Sequence, residues 1–284
     1  MRLTTHYPNK INLGCGYDYL QDYLNVDFYN NVVADMKMSA TTLNLPHSYF
    51  AEILLKDVIE HFGYCDSLAV LAKGYLLLKP DGLLVITTPD IEKAFRQYNS
   101  ALNLADKENI LCHIYGIEDA GMTHKFCFSL PILENLLNKS GFKIVVQQKF
   151  ADFVFRPSVR VVAQKIDDHY FEKRSTVLSA MAKNKKLRIT YADFPYYEAI
   201  LEEVLRTKDI KKTIYAYEHI SPKLLLFLLN NKEINIDKKL VWNDIKRLKK
   251  LLKEPVWRFT DFWTKEAQHK YAQYTAALSL KNNR

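Results

Sequence analysis

The first 165 residues alternate strand-like and helix-like segments, and this alternation constrains the fold more than any other feature. Short runs rich in apolar or β-branched residues are typical of buried strands. These runs are Ile11–Leu13, Leu24–Phe28, Val32–Ala34, Ile53–Leu55, Leu83–Thr88, Lys143–Gln147 and Ser158–Gln164. Because helix-like segments separate several of the runs, the sequence predicts an α/β fold in which helices flank a largely parallel sheet.

Two of the separating segments are predicted as helices. Ser67–Leu78 has apolar residues at helical spacing, and the KPDG sequence at 79–82 is typical of a turn that leads into the next strand. Pro131–Asn138 is the second helix, and Gly141 stands just beyond it, where a helix often ends in glycine.

Residues 166–284 differ from residues 1–165 in charge and in pattern. The first part has 16 lysines and arginines against 17 aspartates and glutamates, whereas the second has 24 against 15. Helix-like segments of the second part are Pro195–Arg206, Pro222–Asn230 and Asp237–Glu254. We therefore predict a domain over 1–165 and a basic, mostly helical accessory region over 166–284 that serves docking, oligomerisation or ligand binding.

Composition favours a cytoplasmic protein. The longest strongly apolar run, Leu224–Leu229, is far shorter than the roughly 20 residues of a membrane-spanning helix. The first ten residues lack the apolar core of a secretory signal. The four cysteines form no CxxC pair, which is typical of reduced thiols.

A glycine-containing loop follows the first predicted strand. Gly14 and Gly16 allow the backbone to bend sharply and to approach a ligand, and Asp27 ends the second strand, where a carboxylate can accept hydrogen bonds from both hydroxyls of a ribose. A nicotinamide site fits less well, because Tyr19 occupies the third glycine position of GxGxxG and Asp27 comes too early. A tight turn without a ligand is the alternative.

A series of motifs resembles the class I S-adenosylmethionine-dependent methyltransferases, and within them a bacterial branch associated with glycan biosynthesis. The motifs, in chain order, are INLGCG, LNVDF, VVADM...LNLP, EILLKDVIEHF, LLKPDGLLVITTPD and HIYG...THKFCFSLPILENLLNKSGF. They cover about residues 10–165. The resemblance implies a Rossmann-like methyltransferase sheet and S-adenosyl-L-methionine as the cofactor.

The resemblance also implies which residues contact the cofactor. Gly14, Cys15 and Gly16 would pack against its methionine portion, and Asp27 would hold the ribose. Asp35 and Met36 would frame the adenine, and Lys56 and Asp57 would lie near the sulfonium or its amino-acid tail. Phe28, next to Asp27, belongs to the same cofactor-binding set. Asn12 belongs to the same set, although many relatives have an acid at that position.

Three residues are candidates for catalysis. His124 is the first choice for a general base, because histidine has an ordinary pKa near neutrality, but it can also be a loop residue or a substrate clamp. His61 could face the same cleft or pack a short helix. Asp90 could orient the acceptor or N-cap a helix that begins at Ile91. The histidines show neither HxH nor HExxH spacing, so no metal site is predicted.

The function expected from these observations is methylation of a sugar or glycan hydroxyl by in-line displacement. A glycan-assembly partner or a second copy of the chain is the favoured partner of residues 166–284, and an anionic membrane surface is another. Nucleic acid is less favoured, because the first 165 residues are not basic. The alternatives are an RNA or protein methyltransferase that docks through the basic region, and a non-catalytic protein that binds the cofactor.

Overall fold

The computed structural model of the protein describes residues 7–119, 121–151 and 156–183. All of them belong to the first of two units into which the chain divides, Met1–Thr207. The predicted helices at 195–206, 222–230 and 237–254 lie outside the described residues. The division of the chain at residue 165 and the role of its basic region therefore stay predictions.

In this part of the chain, seven strands form one sheet in the order β3-β2-β1-β4-β5-β7-β6. They are β1 Lys10–Leu13, β2 Leu24–Asp27, β3 Met36–Lys37, β4 Phe50–Lys56, β5 Leu78–Pro89, β6 Phe142–Ala151 and β7 Pro157–Lys165. The strands from β1 to β5 pair in parallel, whereas β7 is antiparallel to both β5 and β6. The predicted α/β fold with a largely parallel, Rossmann-like sheet is confirmed.

Five α-helices and one 3₁₀ turn accompany the sheet within the described ranges. They are α1 Tyr64–Leu77, α2 Ile91–Ser100, α3 Leu104–Tyr115, α4 Leu130–Lys139, α5 His169–Lys183 and the 3₁₀ turn Ile59–His61. The two helices predicted from apolar spacing correspond to α1 and α4, and the predicted start of a helix at Ile91 is that of α2. Among the helices of the described residues, none is long and apolar enough to span a bilayer.

The third predicted strand is wrong. Val32–Ala34 were assigned to it because valine favours strands, but Val33 is 74% exposed and β3 begins at Met36. The reason is that Asp35 binds the preceding strand: its carboxylate accepts a hydrogen bond from the Asn25 backbone N–H at 2.7 Å, and its own N–H donates to the Asn25 carbonyl at 2.9 Å. Asp35 therefore precedes β3 instead of following it.

The connection from β1 to β2 lacks a helix, although parallel strands are usually joined through one. Residues 14–23 instead run as turns held by two buried asparagines. The Asn12 amide donates to the Asp18 carbonyl at 2.8 Å. The Asn25 side chain accepts from the Leu20 N–H at 3.0 Å and donates to the Leu20 carbonyl at 2.8 Å. These bonds supply partners for backbone groups that a helix would otherwise pair.

The KPDG sequence forms a bulge inside β5. Phe50 of β4 pairs with Leu78, but Glu52 pairs with Leu83, so residues 79–82 leave the ladder. Asp81 within them has a φ of 60°, a conformation that non-glycine residues seldom adopt. The predicted turn is therefore present as an interruption between two segments of one strand.

Candidate functional site

The carboxyl ends of β1 and β4 lie side by side near the centre of the sheet, where an open parallel sheet forms its ligand-binding crevice. These strands are neighbours, but the chain continues from β1 toward β2 and β3 on one side and from β4 toward β5 on the other. Such a change of direction is the topological switch point at which open parallel sheets bind ligands. The loop that follows β1 and the segment from Asp57 to His61 after β4 therefore border the candidate site.

The two glycines of the first loop play different parts. Gly14 has a φ of 69°, and a Cβ atom added to it would lie 2.7 Å from Val58 Cγ2, so a side chain would collide with the loop after β4. Gly16 has a φ of 51°, but no atom of the described residues lies within 4 Å of the corresponding Cβ position. Gly14 is needed for packing, whereas Gly16 leaves its Cβ position open.

Asp27 joins the end of β2 to this loop. Its side chain is buried, with one carboxylate oxygen accepting from the Gly16 N–H at 2.9 Å and the other from the Tyr29 N–H at 2.8 Å. A carboxylate has about four acceptor sites, so both oxygens retain capacity for further donors. Phe28, immediately after Asp27, is 66% exposed, and Tyr17 in the glycine loop is 84% exposed. The loop thus carries a hydrogen-bond acceptor beside exposed aromatic rings.

Three other predicted cofactor residues make contacts within the protein. Asn12 is buried and its amide binds Asp18 and Asn25. Burial raises the pKa of Asp35, but hydrogen bonds from the Asn25 backbone and the Tyr19 hydroxyl lower it more strongly. The Cys15 thiol is buried, and its pKa is raised by burial and by Asp27. The structure shows how these residues hold the loop; their contact with a cofactor stays a prediction.

Two predicted residues lie at the end of β4, and Met36 is half-buried in β3. Lys56 Nζ forms an ion pair with the Asp18 carboxylate, which connects β4 to the loop after β1 across the crevice. Because both partners are about half exposed, this pair contributes little to stability. Asp57 has a φ of 54° and donates its N–H to the Thr87 carbonyl at 2.9 Å.

A second group of side chains lies after β4. It consists of Glu60, His61 and His124. Each of the three offers one potential metal-ligand atom, and these three atoms all lie within 4.8 Å of one another. The two imidazole rings meet edge to face with centroids 4.9 Å apart. We call these three residues the Glu–His–His cluster. It contains both histidines that the sequence analysis named for catalysis.

Backbone hydrogen bonds bring His124 to the 3₁₀ turn despite the long separation in sequence. The Lys125 and Phe126 N–H groups donate to the Glu60 carbonyl at 2.8 and 3.2 Å. His61 Nδ1 lies 3.2 Å from the Thr123 carbonyl, on the residue before His124. Since a carbonyl only accepts, this ring nitrogen donates. The segment from 123 to 126 is therefore docked along the 3₁₀ turn.

Gly116 permits the loop that carries His124. Its φ is 73°, and an added Cβ would lie 2.1 Å from the Met122 carbonyl oxygen and 2.9 Å from the His124 backbone nitrogen. It also forms an isolated β-bridge with Thr123. The sequence analysis did not single out Gly116; the available signal was a glycine that follows α3 directly, where helices often end in a left-handed residue.

The cluster lies in an environment that disfavours charge. Burial, followed by the neighbouring Asp57 carboxylate, raises the pKa of Glu60 to about 8. Burial, followed by His61, lowers the pKa of His124 to about 4, and burial also lowers the pKa of His61. At neutral pH the two imidazoles are therefore uncharged, and His124 alone is a weak base.

Asp90 is confirmed as a helix N-cap. Its side chain is buried and accepts a hydrogen bond from the Lys93 N–H at 3.2 Å, at the start of α2. Its second oxygen lies 3.3 Å from Lys149 Nζ in an ion pair. Asp90 is not one of the residues whose ligand atoms converge in the cluster, and its role in orienting an acceptor stays a prediction.

Neither a protein-family model nor a curated protein matches the sequence. Among solved structures, the chain is similar to a SAM-dependent methyltransferase from Methanosarcina mazei, with 12% identity, a TM-score of 0.41, and coverage of 56% of this chain and 92% of that one. The chain is also similar to the 1,6-didemethyltoxoflavin-N1-methyltransferase of Burkholderia thailandensis, whose structure contains S-adenosylhomocysteine. The identity is 16%, the TM-score is 0.40, and the match covers 56% of this chain and 71% of that one.

A third similar structure is a possible histamine N-methyltransferase from Thermotoga maritima, with 18% identity, a TM-score of 0.40, and coverage of 55% of this chain and 81% of that one. At such identities and TM-scores, these likenesses carry no argument about the reaction or the ligands of this chain. The function has to be argued from the residues of the crevice.

Proposed function

We propose that the protein is an S-adenosylmethionine-dependent methyltransferase. The observation that carries the proposal is the Asp27 carboxylate, which is bonded to the Gly16 N–H beside the switch point and retains free acceptor sites. A ribose offers two adjacent hydroxyl donors to such a carboxylate. The exposed ring of Phe28 offers an apolar surface for a nucleobase next to it.

The loop after β1 is poorly suited to a dinucleotide. Dinucleotide sites bind the pyrophosphate at the N-terminus of a helix that follows the glycine loop, and residues 14–23 contain no helix. The carboxylates of Asp27 and Asp35 also repel phosphate. S-adenosylmethionine has no phosphate and has a positively charged sulfonium, so its charge is compatible with these acids.

The remaining cofactor contacts follow from the position of each residue around the crevice. We assign the methionine portion to the loop from Gly14 to Gly16, the adenine to the side of Phe28 and Met36, and the amino-acid tail to the end of β4 near Lys56. When bound, the cofactor supplies a methyl group on a sulfonium. The protein's contribution is to hold an acceptor atom in line with that methyl group and to exclude water.

We further propose that the acceptor is a hydroxyl, with a sugar or glycan as its class. The motif resemblance supports this class, and His61 and His124 supply two uncharged imidazoles to receive the acceptor hydroxyl. The acceptor oxygen forms a bond to the methyl carbon, the C–S bond breaks with its electron pair going to sulfur, and the hydroxyl proton passes to solvent. We retain residues 166–284 as the region that docks a glycan-assembly partner or a second copy.

Calorimetric titration tests the cofactor first. Wild-type protein is expected to bind S-adenosylhomocysteine and not NAD. Asp27→Asn keeps the size of the side chain but removes its charge, and we expect it to weaken S-adenosylhomocysteine roughly 10- to 100-fold, the value of one charge-assisted hydrogen bond. Asp22→Asn changes an exposed acid nearby and is expected to bind like wild type. Folded protein that binds NAD, or that does not bind S-adenosylhomocysteine, would contradict the proposal.

Methyl transfer tests the acceptor. Incubation with methyl-labelled S-adenosylmethionine and separate pools of sugar nucleotides, glycan lipids, RNA and protein is expected to label only a sugar-containing pool. Labelling of RNA or protein would replace the glycan assignment but keep the methyltransferase. Cofactor binding without labelling of any pool would instead support a non-catalytic role.

A further inference from the structure

The Glu–His–His cluster is built as a buried acid beneath two half-buried imidazoles. Glu60 is 1% exposed, while His61 and His124 reach partly to the surface. Their ligand atoms lie within 4.8 Å of one another, so a single atom placed between them could contact all three.

One carboxylate oxygen of Glu60 is an independent indication of a ligand. The Thr88 hydroxyl donates to Oε2 at 3.1 Å, but Oε1 is buried and has no hydrogen-bond partner among the described residues. Buried polar atoms without a partner are rare, because the loss of their hydration is not recovered. A cation bound at Oε1 would recover it.

Each imidazole donates one ring N–H to a backbone carbonyl. His61 Nδ1 donates to the Thr123 carbonyl at 3.2 Å, and His124 Nδ1 donates to the Ile114 carbonyl at 3.1 Å. In a neutral ring, a proton on Nδ1 leaves the lone pair on Nε2. Histidines that bind metals usually donate their other ring N–H to a carbonyl or a carboxylate in this way.

We propose that Glu60, His61 and His124 bind one divalent transition-metal ion. Two imidazole nitrogens and one carboxylate oxygen are a donor set that Zn²⁺, Fe²⁺ and Co²⁺ accept, with the remaining coordination positions open to water or substrate. The sequence analysis predicted no metal site, because the histidines lack HxH and HExxH spacing. Such spacing cannot reveal this cluster, since His124 comes from a distant loop.

The role of the ion rests on the proposed function. The acceptor hydroxyl would bind at an open coordination position, where the positive charge lowers its pKa. Its proton passes to solvent, the resulting oxyanion forms the O–CH₃ bond, and the C–S bond of the sulfonium breaks with its electron pair going to sulfur. In this role the two histidines hold the ion, and the ion takes the place of a general base.

The test is metal titration of the full chain after treatment with EDTA and removal of the chelator. We expect Zn²⁺ to bind with one ion per chain in this site, and Co²⁺ to give the d–d absorption of nitrogen ligands. Glu60→Gln and His124→Ala are expected to weaken Zn²⁺ by more than the roughly 10- to 100-fold that outer-shell changes cost. The matched control is His169→Ala, which removes an exposed histidine of α5 and should leave this binding unchanged.

Two results would overturn the metal site. One is folded wild-type protein that binds neither Zn²⁺ nor Co²⁺, with or without S-adenosylhomocysteine. The other is equal affinity in wild type and in Glu60→Gln, whose near-identical shape keeps the fold intact. S-adenosylhomocysteine is titrated in parallel. Protein that binds the metal but not S-adenosylhomocysteine refutes only the methyltransferase proposal. Protein that binds S-adenosylhomocysteine but no metal refutes only the metal site.

Discussion

The glycine loop with its surrounding strands and the Glu–His–His cluster solve different physical problems. The first comes from residues 12–35, and its buried side chains, Asn12, Asn25 and Asp27, bind backbone or side-chain groups of the same segment. The cluster joins residues more than 60 positions apart and contains a carboxylate oxygen without a partner among the described residues. The buried polar side chains of the loop therefore have partners within their own segment, whereas the cluster contains a buried polar atom that lacks one among the described residues.

This difference predicts that the two regions can be disabled separately. Changes in the loop should affect the cofactor and, where they do not displace Val58 beside the 3₁₀ turn, leave metal binding intact. Changes in the cluster should do the reverse. Substitutions at Gly116, at Glu60, at the two loop glycines and at Asp35 test this separation, and their expected effects decrease in that order.

Gly116→Ala should have the largest effect. A Cβ placed 2.1 Å from the Met122 carbonyl forces the loop that carries His124 away from Gly116, and the positive φ adds strain. We expect a loss of about 3 kcal/mol or more in the free energy of unfolding, with Zn²⁺ binding abolished and S-adenosylhomocysteine binding retained. Urea denaturation and the two titrations measure this.

Gly63→Ala is the matched control for Gly116→Ala. It stands close to His61, its φ is −67°, and no described atom lies within 4 Å of an added Cβ. It should behave like wild type. If Gly116→Ala also bound Zn²⁺ normally, the role of its loop in positioning His124 would be disproved.

Glu60→Gln should stabilise the metal-free protein at neutral pH. Burial raises the pKa of Glu60 to about 8, so the folded state disfavours ionisation that the unfolded chain undergoes near pH 4.5. Stability is therefore full below the unfolded pKa and is lost as pH rises toward the folded pKa. Glutamine removes this loss, worth at most about 3 kcal/mol at pH 7.

Thermal unfolding of EDTA-treated protein between pH 4 and 8 measures the effect. The gain in stability should disappear near pH 4, and added Zn²⁺ should reverse it by stabilising only the wild type. If Glu60→Gln were less stable than wild type at pH 7 without metal, the prediction would be wrong, and groups of the protein itself would be stabilising the buried carboxylate.

Gly14→Ala and Gly16→Ala distinguish packing from ligand space within the loop. Gly14→Ala forces a methyl group into Val58 and should cost about 2 kcal/mol of stability. Gly16→Ala meets no described atom and should cost about 1 kcal/mol for its positive φ alone. Both substitutions should weaken the binding of S-adenosylhomocysteine. Zn²⁺ affinity should stay within twofold of wild type only for Gly16→Ala, because Gly14→Ala displaces Val58, which adjoins the 3₁₀ turn. Normal cofactor affinity in Gly16→Ala would show that the open space is not part of the site.

Asp35→Asn should have the smallest effect. Its carboxylate accepts from the Asn25 N–H and the Tyr19 hydroxyl, each at 2.7 Å, and these bonds lower its pKa. The stabilisation is present above the unfolded pKa and is lost as pH falls through the folded value. Because Asp35 is exposed, we expect a loss of about 1 kcal/mol or less at pH 7 that shrinks below about pH 4, measured by urea denaturation.

The sequence alone determined the sheet and much of the glycine loop. The alternation of strand-like and helix-like runs predicted the α/β fold, and Gly14, Gly16 and Asp27 predicted a sharply bent loop after β1 and a carboxylate at the end of β2. These features are accessible because each depends on residue types within a short segment. Local spacing also predicted that Asp90 would cap α2, which is confirmed.

The tertiary structure alone decided how the other polar residues are used. Asn12 and Asp35 hold the loop, Val32–Ala34 are not a strand, and α3 with Gly116 brings His124 to Glu60. The cluster could not be predicted from spacing, because backbone hydrogen bonds from residues 125 and 126 to Glu60 align it. Nearly every residue type can make such bonds, so the amino-acid sequence does not mark the place where two distant segments meet.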